Sequence, residues 1–152
     1  MKILIVYKSI HHGNTEKIAR TMADVINADI LSTRDATPQI IGRYDLIGFG
    51  SGIYFGKHHH KLLSLAEDLP EVKGKKAFIF STSGLRELPI IHNFNKELKK
   101  RLLEKKYQLI GIFSCRGFDT YGLLKLIGGI QKERPNDEDL SNAIAFAENL
   151  IE

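Results

Sequence analysis

Lys2-Ile3-Leu4-Ile5-Val6-Tyr7-Lys8-Ser9-Ile10-His11-His12-Gly13-Asn14-Thr15-Glu16 decides how this chain reads, because an apolar run ends abruptly in a polar, glycine-containing segment. Beyond Glu16, Ile18, Met22, Val25 and Ile26 recur at helical spacing. An almost unbroken apolar run suits a strand covered on both faces, so the stretch reads as strand, loop and helix start. Hydroxyl, amide and glycine residues before a helix offer side-chain donors beside backbone N–H groups and the positive end of the helix dipole. That setting suits a phosphate. The first expectation is a phosphorylated ligand at Ser9 to Thr15.

The same alternation repeats down the chain. Further apolar runs cover residues 28–32, 45–50, 76–81 and 108–114. Leu46 to Phe49, Ala77 to Phe80 and Leu109 to Phe113 read as buried strands, whereas Asp29-Ile30-Leu31-Ser32 is shorter and fits a sheet edge. Between and after them lie helical patterns: Leu62, Leu65, Ala66 and Leu69; Ile91, Phe94, Leu98 and Leu102; Leu140, Ala143, Ile144, Ala147 and Ile151. Thr37 to Gly42 leaves room for only a turn or two of helix, and Asn136-Asp137-Glu138-Asp139 supplies a cap and an acidic first turn for the last one. Parallel strands joined by right-handed helical crossovers predict an α/β fold, a doubly wound three-layer sandwich on a five-stranded parallel sheet of order 2-1-3-4-5. In that order the switch point lies between the first and third strands, so the loops after residues 7 and 50 face one another.

Composition narrows the class. With 152 residues, 43 % of them hydrophobic, the chain can bury about two-thirds of its unfolded surface, and one domain over residues 1–152 is the economical expectation. No apolar run approaches the roughly 20 residues that span a bilayer, and no secretory-signal pattern precedes the first strand, so a cytoplasmic protein is expected. The single Cys115 excludes an internal disulfide and multi-cysteine metal clusters, and packs more readily as a small hydrophobe than as a nucleophile. The net charge of +4 favours acidic partners. Lys96, Lys99, Lys100, Arg101, Lys105 and Lys106 accompany Leu98 and Leu102 at helical spacing, which reads as the solvated side of an amphipathic helix. Nucleic-acid binding finds no support, since no aromatic-interleaved basic motif or zinc-ligand spacing accompanies these charges.

The first loop lacks the three spaced glycines of a dinucleotide fingerprint and the Gly-Lys-Ser/Thr of a P-loop. It has no cysteine near residue 10 for phosphatase chemistry, and Tyr7-Lys8-Ser9 and Gly50-Ser51 stand where a receiver domain needs acidic metal ligands. Ser9 to Thr15 instead resembles the phosphate loop of the flavodoxin family, which ends in Gly-Asn-Thr before the first helix. It departs from that pattern by one extra residue and by His11 and His12 where Thr or Ser is usual. The resemblance covers the chain in element order, short-chain length and three ligand loops, and it implies non-covalent FMN. Ser9, His11, His12, Gly13, Asn14 and Thr15 would then surround the phosphate.

By the same resemblance, Ser51, Gly52, Ile53, Tyr54, Phe55 and Gly56 form the loop that packs on the flavin ring, with Tyr54 first choice for stacking, Phe55 in the core as the alternative, and glycine peptides that can rotate. Ser83, Gly84 and Leu85 occupy the second ring-holding loop, where residues 82–89 lack the family's outer aromatic. Cys115, Arg116 and Gly117 lie at the same end of the sheet. His58-His59-His60 cannot converge on a metal from a regular helix, since neighbours project about 100 degrees apart. One of them near the flavin edge would follow pH, and the Tyr, Gly and His in this stretch are also similar to flavodoxin-like protoporphyrinogen oxidase. Lys57, Arg86, Arg116 and the nearby histidines are expected to favour negative charge on the flavin.

The leading expectation is an FMN-binding electron carrier between redox partner proteins, acidic ones given the basic charge. An alternative is an FMN-dependent oxidoreductase acting on a quinone or protoporphyrinogen-like planar substrate, with Tyr121 to Ile127 folding over the site or touching a partner. A third is a flavin-free interaction domain.

Overall fold

The apolar runs pair side by side in parallel. The computed structural model describes residues 1–9, 13–83, 94–115 and 135–152. Its sheet contains β1 (Ile3–Lys8), β2 (Asp29–Ser32), β3 (Leu46–Tyr54), β4 (Lys57–His58), β5 (Lys76–Thr82) and β6 (Gln108–Cys115). The parallel order is β2-β1-β3-β5-β6, with β4 off this path and paired to β3. Counting only the parallel strands, this is the order 2-1-3-4-5 of a flavodoxin-like doubly wound sheet, with β2 at one edge.

Two strands depart from their reading. The third extends beyond the run at 45–50 to Tyr54, through residues read as loop. Ser51 pairs with Lys8 and Ser81, and beyond them β4 folds back antiparallel, setting Ile53 against His58 and Tyr54 against Lys57. These pairings give the polar extension a ladder that the apolar pattern does not reveal. The run at 108–114 reads as fully covered, yet among the described residues β6 pairs only with β5 and Ile112 is 40 % exposed. Its register steps from Leu109 opposite Ala77 to Gly111 opposite Phe78, so Ile110 is an extra, bulged residue.

Strand alternation sends side chains into two cores. On one face Leu4, Val6, Ile47, Phe49 and Ile79 meet α2 (Pro38–Ile41), α3 (His60–Asp68) and α4 (Lys96–Glu104) through Ile41, Leu62, Ala66, Leu98 and Leu102. On the other, Ile3, Ile5, Phe78 and Phe80 meet α1 (Asn14–Ile26) and α5 (Asp137–Leu150) through Ile18, Met22, Ala143 and Ala147. The short second crossover is a single turn begun by Thr37, whose hydroxyl accepts from the Ile40 N–H. At α5 the Asn136 side chain accepts from the Asp139 N–H at 3.0 Å and Asp139 accepts from the Asn136 N–H at 2.9 Å, a reciprocal cap that contributes about 1 kcal/mol. The lysines of α4 stand on its solvated side while Leu98 and Leu102 are buried.

Glycine in β3 is a packing requirement. A Cβ on Gly48 would lie 2.3 Å from the Phe78 ring, and one on Gly50 2.2 Å from the Phe80 ring. Each phenylalanine is the cross-strand partner of the glycine it covers. The rings therefore lie flat against bare backbone, and α1 and α5 close over them.

Candidate functional site

The carboxyl ends of β1, β3, β5 and β6 gather the polar residues that the cores exclude. At the first of them, Gly13 sits in the left-handed region at φ 68° and precedes α1 as a cap residue with no side chain to accept from the first-turn amides. Ser9 Oγ accepts from the Glu16 N–H at 3.3 Å. The Glu16 carboxylate turns to the Tyr7 hydroxyl, which donates to it at 2.7 Å, and to Arg20 at 3.6 Å. Burial, and then this bond to Glu16, raises the Tyr7 pKa. Thr15 is 2 % exposed and its hydroxyl shares a 2.9 Å hydrogen bond with Thr82, so it joins α1 to β5. Asn14 opens the helix beside it. His11 and His12 lie outside the described residues.

The second loop is the β3–β4 hairpin. Phe55 and Gly56 are its two central residues, with φ 52° and 79°, the pair of positive values that defines a type I′ turn. Phe55 is 84 % exposed, which overturns its reading as core: a residue at a hairpin tip points away from both layers. Tyr54 folds back along its strand, and a Cβ on Gly52 would meet its hydroxyl at 2.8 Å. Its ring meets His59 edge-on, with centroids 5.3 Å apart. Ile53 is half-buried beside them.

His58 turns away from His59 and His60. His58 is buried, its Nδ1 2.8 Å from Ser51 Oγ and its Nε2 2.7 Å from Asn95 Oδ1. His59 precedes α3 as its cap, Nδ1 accepting from the Lys61 N–H, and its ring stacks on His60 at 4.4 Å. Burial drives the His58 pKa down to about 4, against the pull of its bond to Asn95. His59 is also lowered to about 4, by burial and then by the positive surroundings of His60, Lys8 and Lys61. Both rings are therefore neutral at pH 7; of the other residues expected to be cationic here, Lys57 lies on β4, and Arg86 and Arg116 lie outside the described residues. Among the described residues no cluster of histidine, cysteine and carboxylate side chains is placed to hold a metal ion.

At the ends of β5 and β6, the Ser83 N–H donates to the Cys115 carbonyl at 2.9 Å, and the Cys115 side chain is buried. Gly84, Leu85, Arg116 and Gly117 lie outside the described residues, as does the segment Tyr121 to Ile127.

Ser51 is expected in the ring loop, but Ser81 and Ser114, which stand in a row with it, are not expected at the site. Ser51, Ser81 and Ser114 stand opposite one another on β3, β5 and β6. Ser81 and Ser114 hydroxyls are 2.8 Å apart, and Asn95 Nδ2 donates to Ser114 Oγ at 3.4 Å. The signal was present, because each of three apolar runs ends in serine, at Gly50-Ser51, Phe80-Ser81 and Phe113-Ser114. Asn95 and His58 carry no such mark.

A five-strand parallel sheet of this order, with polar loops converging at its switch point, defines a flavodoxin-like protein. Residues 4–120 match the family model described as a flavodoxin domain, and the chain belongs to the flavodoxin family. It is 50 % identical over 151 residues to an uncharacterized protein of Methanocaldococcus jannaschii, covering 99 % of both chains. Oxidised flavodoxin 2 from Bacillus cereus has a similar structure, with TM-score 0.73 at 19 % identity, over 99 % of this chain and 98 % of that one. The rubredoxin oxygen:oxidoreductase of Desulfovibrio gigas contains a similar fold, with TM-score 0.64 at 15 % identity, over 97 % of this chain and 34 % of that one.

Proposed function

We propose that this protein is a single-domain FMN-binding electron carrier, acting in the cytoplasm between redox partner proteins. One observation carries the reading: in a chain of this family, the loop before α1, the β3–β4 hairpin and the end of β5 converge at the carboxyl edge of the sheet, and the helix facing them is capped by a glycine without an acceptor side chain. That donor set fits a phosphate. Backbone amides at Gly13, Asn14 and Thr15, the Ser9 hydroxyl, and His11 and His12 hold it. Thr15 adds its hydroxyl too when Thr82 is the donor in the bond they share, which leaves the Thr15 hydrogen for the phosphate.

When bound, FMN supplies one- and two-electron redox chemistry, and the protein supplies binding, orientation and electrostatics. Tyr54 covers the ring from the β3–β4 hairpin, with Ser51, Gly52, Ile53, Phe55 and Gly56 as its backbone frame. Ser83, Gly84 and Leu85 hold the ring from the end of β5, and Cys115, Arg116 and Gly117 from the end of β6. The exposed lysines of α4, Lys96, Lys99 and Lys100, favour acidic partners. Among the described residues no helix is long and apolar enough to cross a membrane.

The visible spectrum of the purified protein tests the cofactor, and fluorescence titration with FMN and riboflavin tests the phosphate site. FMN is expected to bind far more tightly than riboflavin, and Ser9→Ala to weaken FMN alone, by about fivefold for one lost hydrogen bond of about 1 kcal/mol. Equal affinity for the two flavins would remove the phosphate site from the reading. Turnover of a quinone with reduced protein, or of a porphyrinogen with oxidised protein and an electron acceptor, distinguishes an enzyme from a carrier.

A further inference from the structure

The Ser51 hydroxyl has one hydrogen and two acceptors within reach, His58 Nδ1 at 2.8 Å and the Gly52 carbonyl at 2.7 Å. It also accepts from the His59 N–H at 3.0 Å. Which acceptor it serves depends on the ring. Asn95 Oδ1 can only accept, so the hydrogen at the His58–Asn95 contact sits on Nε2. A neutral ring then offers the Nδ1 lone pair, and Ser51 donates to it. A second proton, taken from solvent onto Nδ1, makes that nitrogen a donor. Ser51 Oγ must then accept from the ring, and its own hydrogen goes to the Gly52 carbonyl.

We propose that His58 is the positioning residue of the β3–β4 hairpin: through Asn95 it ties the base of the hairpin to the start of α4, and a proton on Nδ1 switches the Ser51 hydroxyl from the ring to the Gly52 carbonyl. Two of the three groups around that hydroxyl, Gly52 and His59, flank Tyr54, whose own hydroxyl lies over Gly52 and whose ring packs on His59. The switch therefore acts on the residue that covers the flavin. That consequence rests on the flavin reading above; the switch itself does not.

The surroundings agree with a ring kept neutral until it is forced. From β3 it meets Ser51, and from the start of α4 Asn95, with Lys96 and Glu97 following; its own side carries Lys57, His59, His60 and Lys61. Burial lowers its proton affinity and the bond to Asn95 opposes that shift. Negative charge brought to the hairpin by a ligand would raise that affinity.

Histidine ¹⁵N spectra of the protein as purified, followed from pH 8 to pH 4 together with the Gly52 carbonyl and Tyr54 ring signals, test the switch. The expected result is the Nε2–H tautomer at neutral pH and a single acidic midpoint shared by His58, Gly52 and Tyr54. His58→Gln keeps a donor towards Asn95 and cannot take the second proton, so it should abolish the shared transition; Ser51→Ala should leave the His58 titration and remove the Gly52 response. An Nδ1–H tautomer at neutral pH, a Gly52 signal that ignores His58, or loss of the fold while the ring is still neutral would overturn the proposal. FMN titration of the wild-type protein keeps the two readings apart: failure to bind removes the flavin reading, while the spectra still decide the role of His58.

Discussion

From Leu46 to Gly50, β3 is held by shape, and from Ser51 to Tyr54 it is held by hydrogen bonds. In the lower half two glycines lie under the Phe78 and Phe80 rings with no room for a methyl group. In the upper half Ser51 joins β3 to His58, and Tyr54 bends back over Gly52 where only its flexible hydroxyl end would have to move. One strand thus passes from a rigid core to an adjustable loop base within two residues. The fold depends on the first half and the proposed site on the second, so substitutions in the two halves should separate stability from binding.

The largest effect is expected at Gly50. A methyl group there must displace the Phe80 ring, which is fully buried under α1 and α5, and overpacking of this kind costs about 3 kcal/mol or more. Gly50→Ala should lower the denaturant midpoint sharply, and Phe80→Leu in the same chain should recover part of the loss. Additive losses in that double-mutant cycle would show that the contact between glycine and ring does not limit the packing.

Next in size is the acid response of the upper half. Folding lowers His58 from 6.5 to about 4, so between those values the unfolded chain binds more protons than the folded one. The stability associated with the neutral ring is whole above pH 6.5 and is lost as pH falls through about 4, with a span of about 3 kcal/mol for a shift of this size. His59 adds to the same trend with its ring partly in solvent, where screening reduces its share. Denaturation at pH 7 and pH 4.5 should show a smaller difference for His58→Gln than for the wild-type protein. An unchanged difference would place the acid sensitivity elsewhere.

This division also explains what the sequence made legible. Burial leaves a periodic trace, so Ile3 to Val6, Leu46 to Phe49 and Ala77 to Phe80 announced their strands, and Ile18 and Met22 their helix. Hydrogen bonding across the sheet leaves little, because Asn95 meets His58 from 37 residues away and neither type is rare in loops. β4 is two residues long, too short for any periodicity, and without it Ser51 to Tyr54 read as loop. The exposed edge of β6 was hidden for the opposite reason: Leu109 to Phe113 are apolar, although Ile112 faces solvent. Thr15 reads as a loop hydroxyl, and nothing in the sequence shows its bond to Thr82, 67 residues away.

Phe55 should give a smaller effect of opposite sign. An aromatic residue at φ 52° in the first central position of a two-residue hairpin is strained, whereas Asn-Gly is the preferred pair for this turn. Phe55→Asn is therefore expected to raise stability by about 1 kcal/mol, read as a higher denaturant midpoint. If the exposed ring also contacts flavin or a partner, the same variant loses affinity as it gains stability. A variant that is no more stable would mean that the strain is relieved by packing of the ring.

The smallest change in stability is expected at Gly52, and it gives the most direct comparison with Gly50. The two glycines lie on the same face of β3, two residues apart, and a methyl group on either meets an aromatic side chain. At Gly50 the obstacle is the body of a buried ring; at Gly52 it is the hydroxyl end of Tyr54, which is only half-buried and can swing away. Gly52→Ala should therefore cost less than about 1 kcal/mol, while moving Tyr54 off its position and weakening FMN binding. A loss of stability as large as that of Gly50→Ala would show that the upper half of β3 is as tightly packed as the lower, and that Tyr54 is a structural clamp with no freedom to adjust to a ligand.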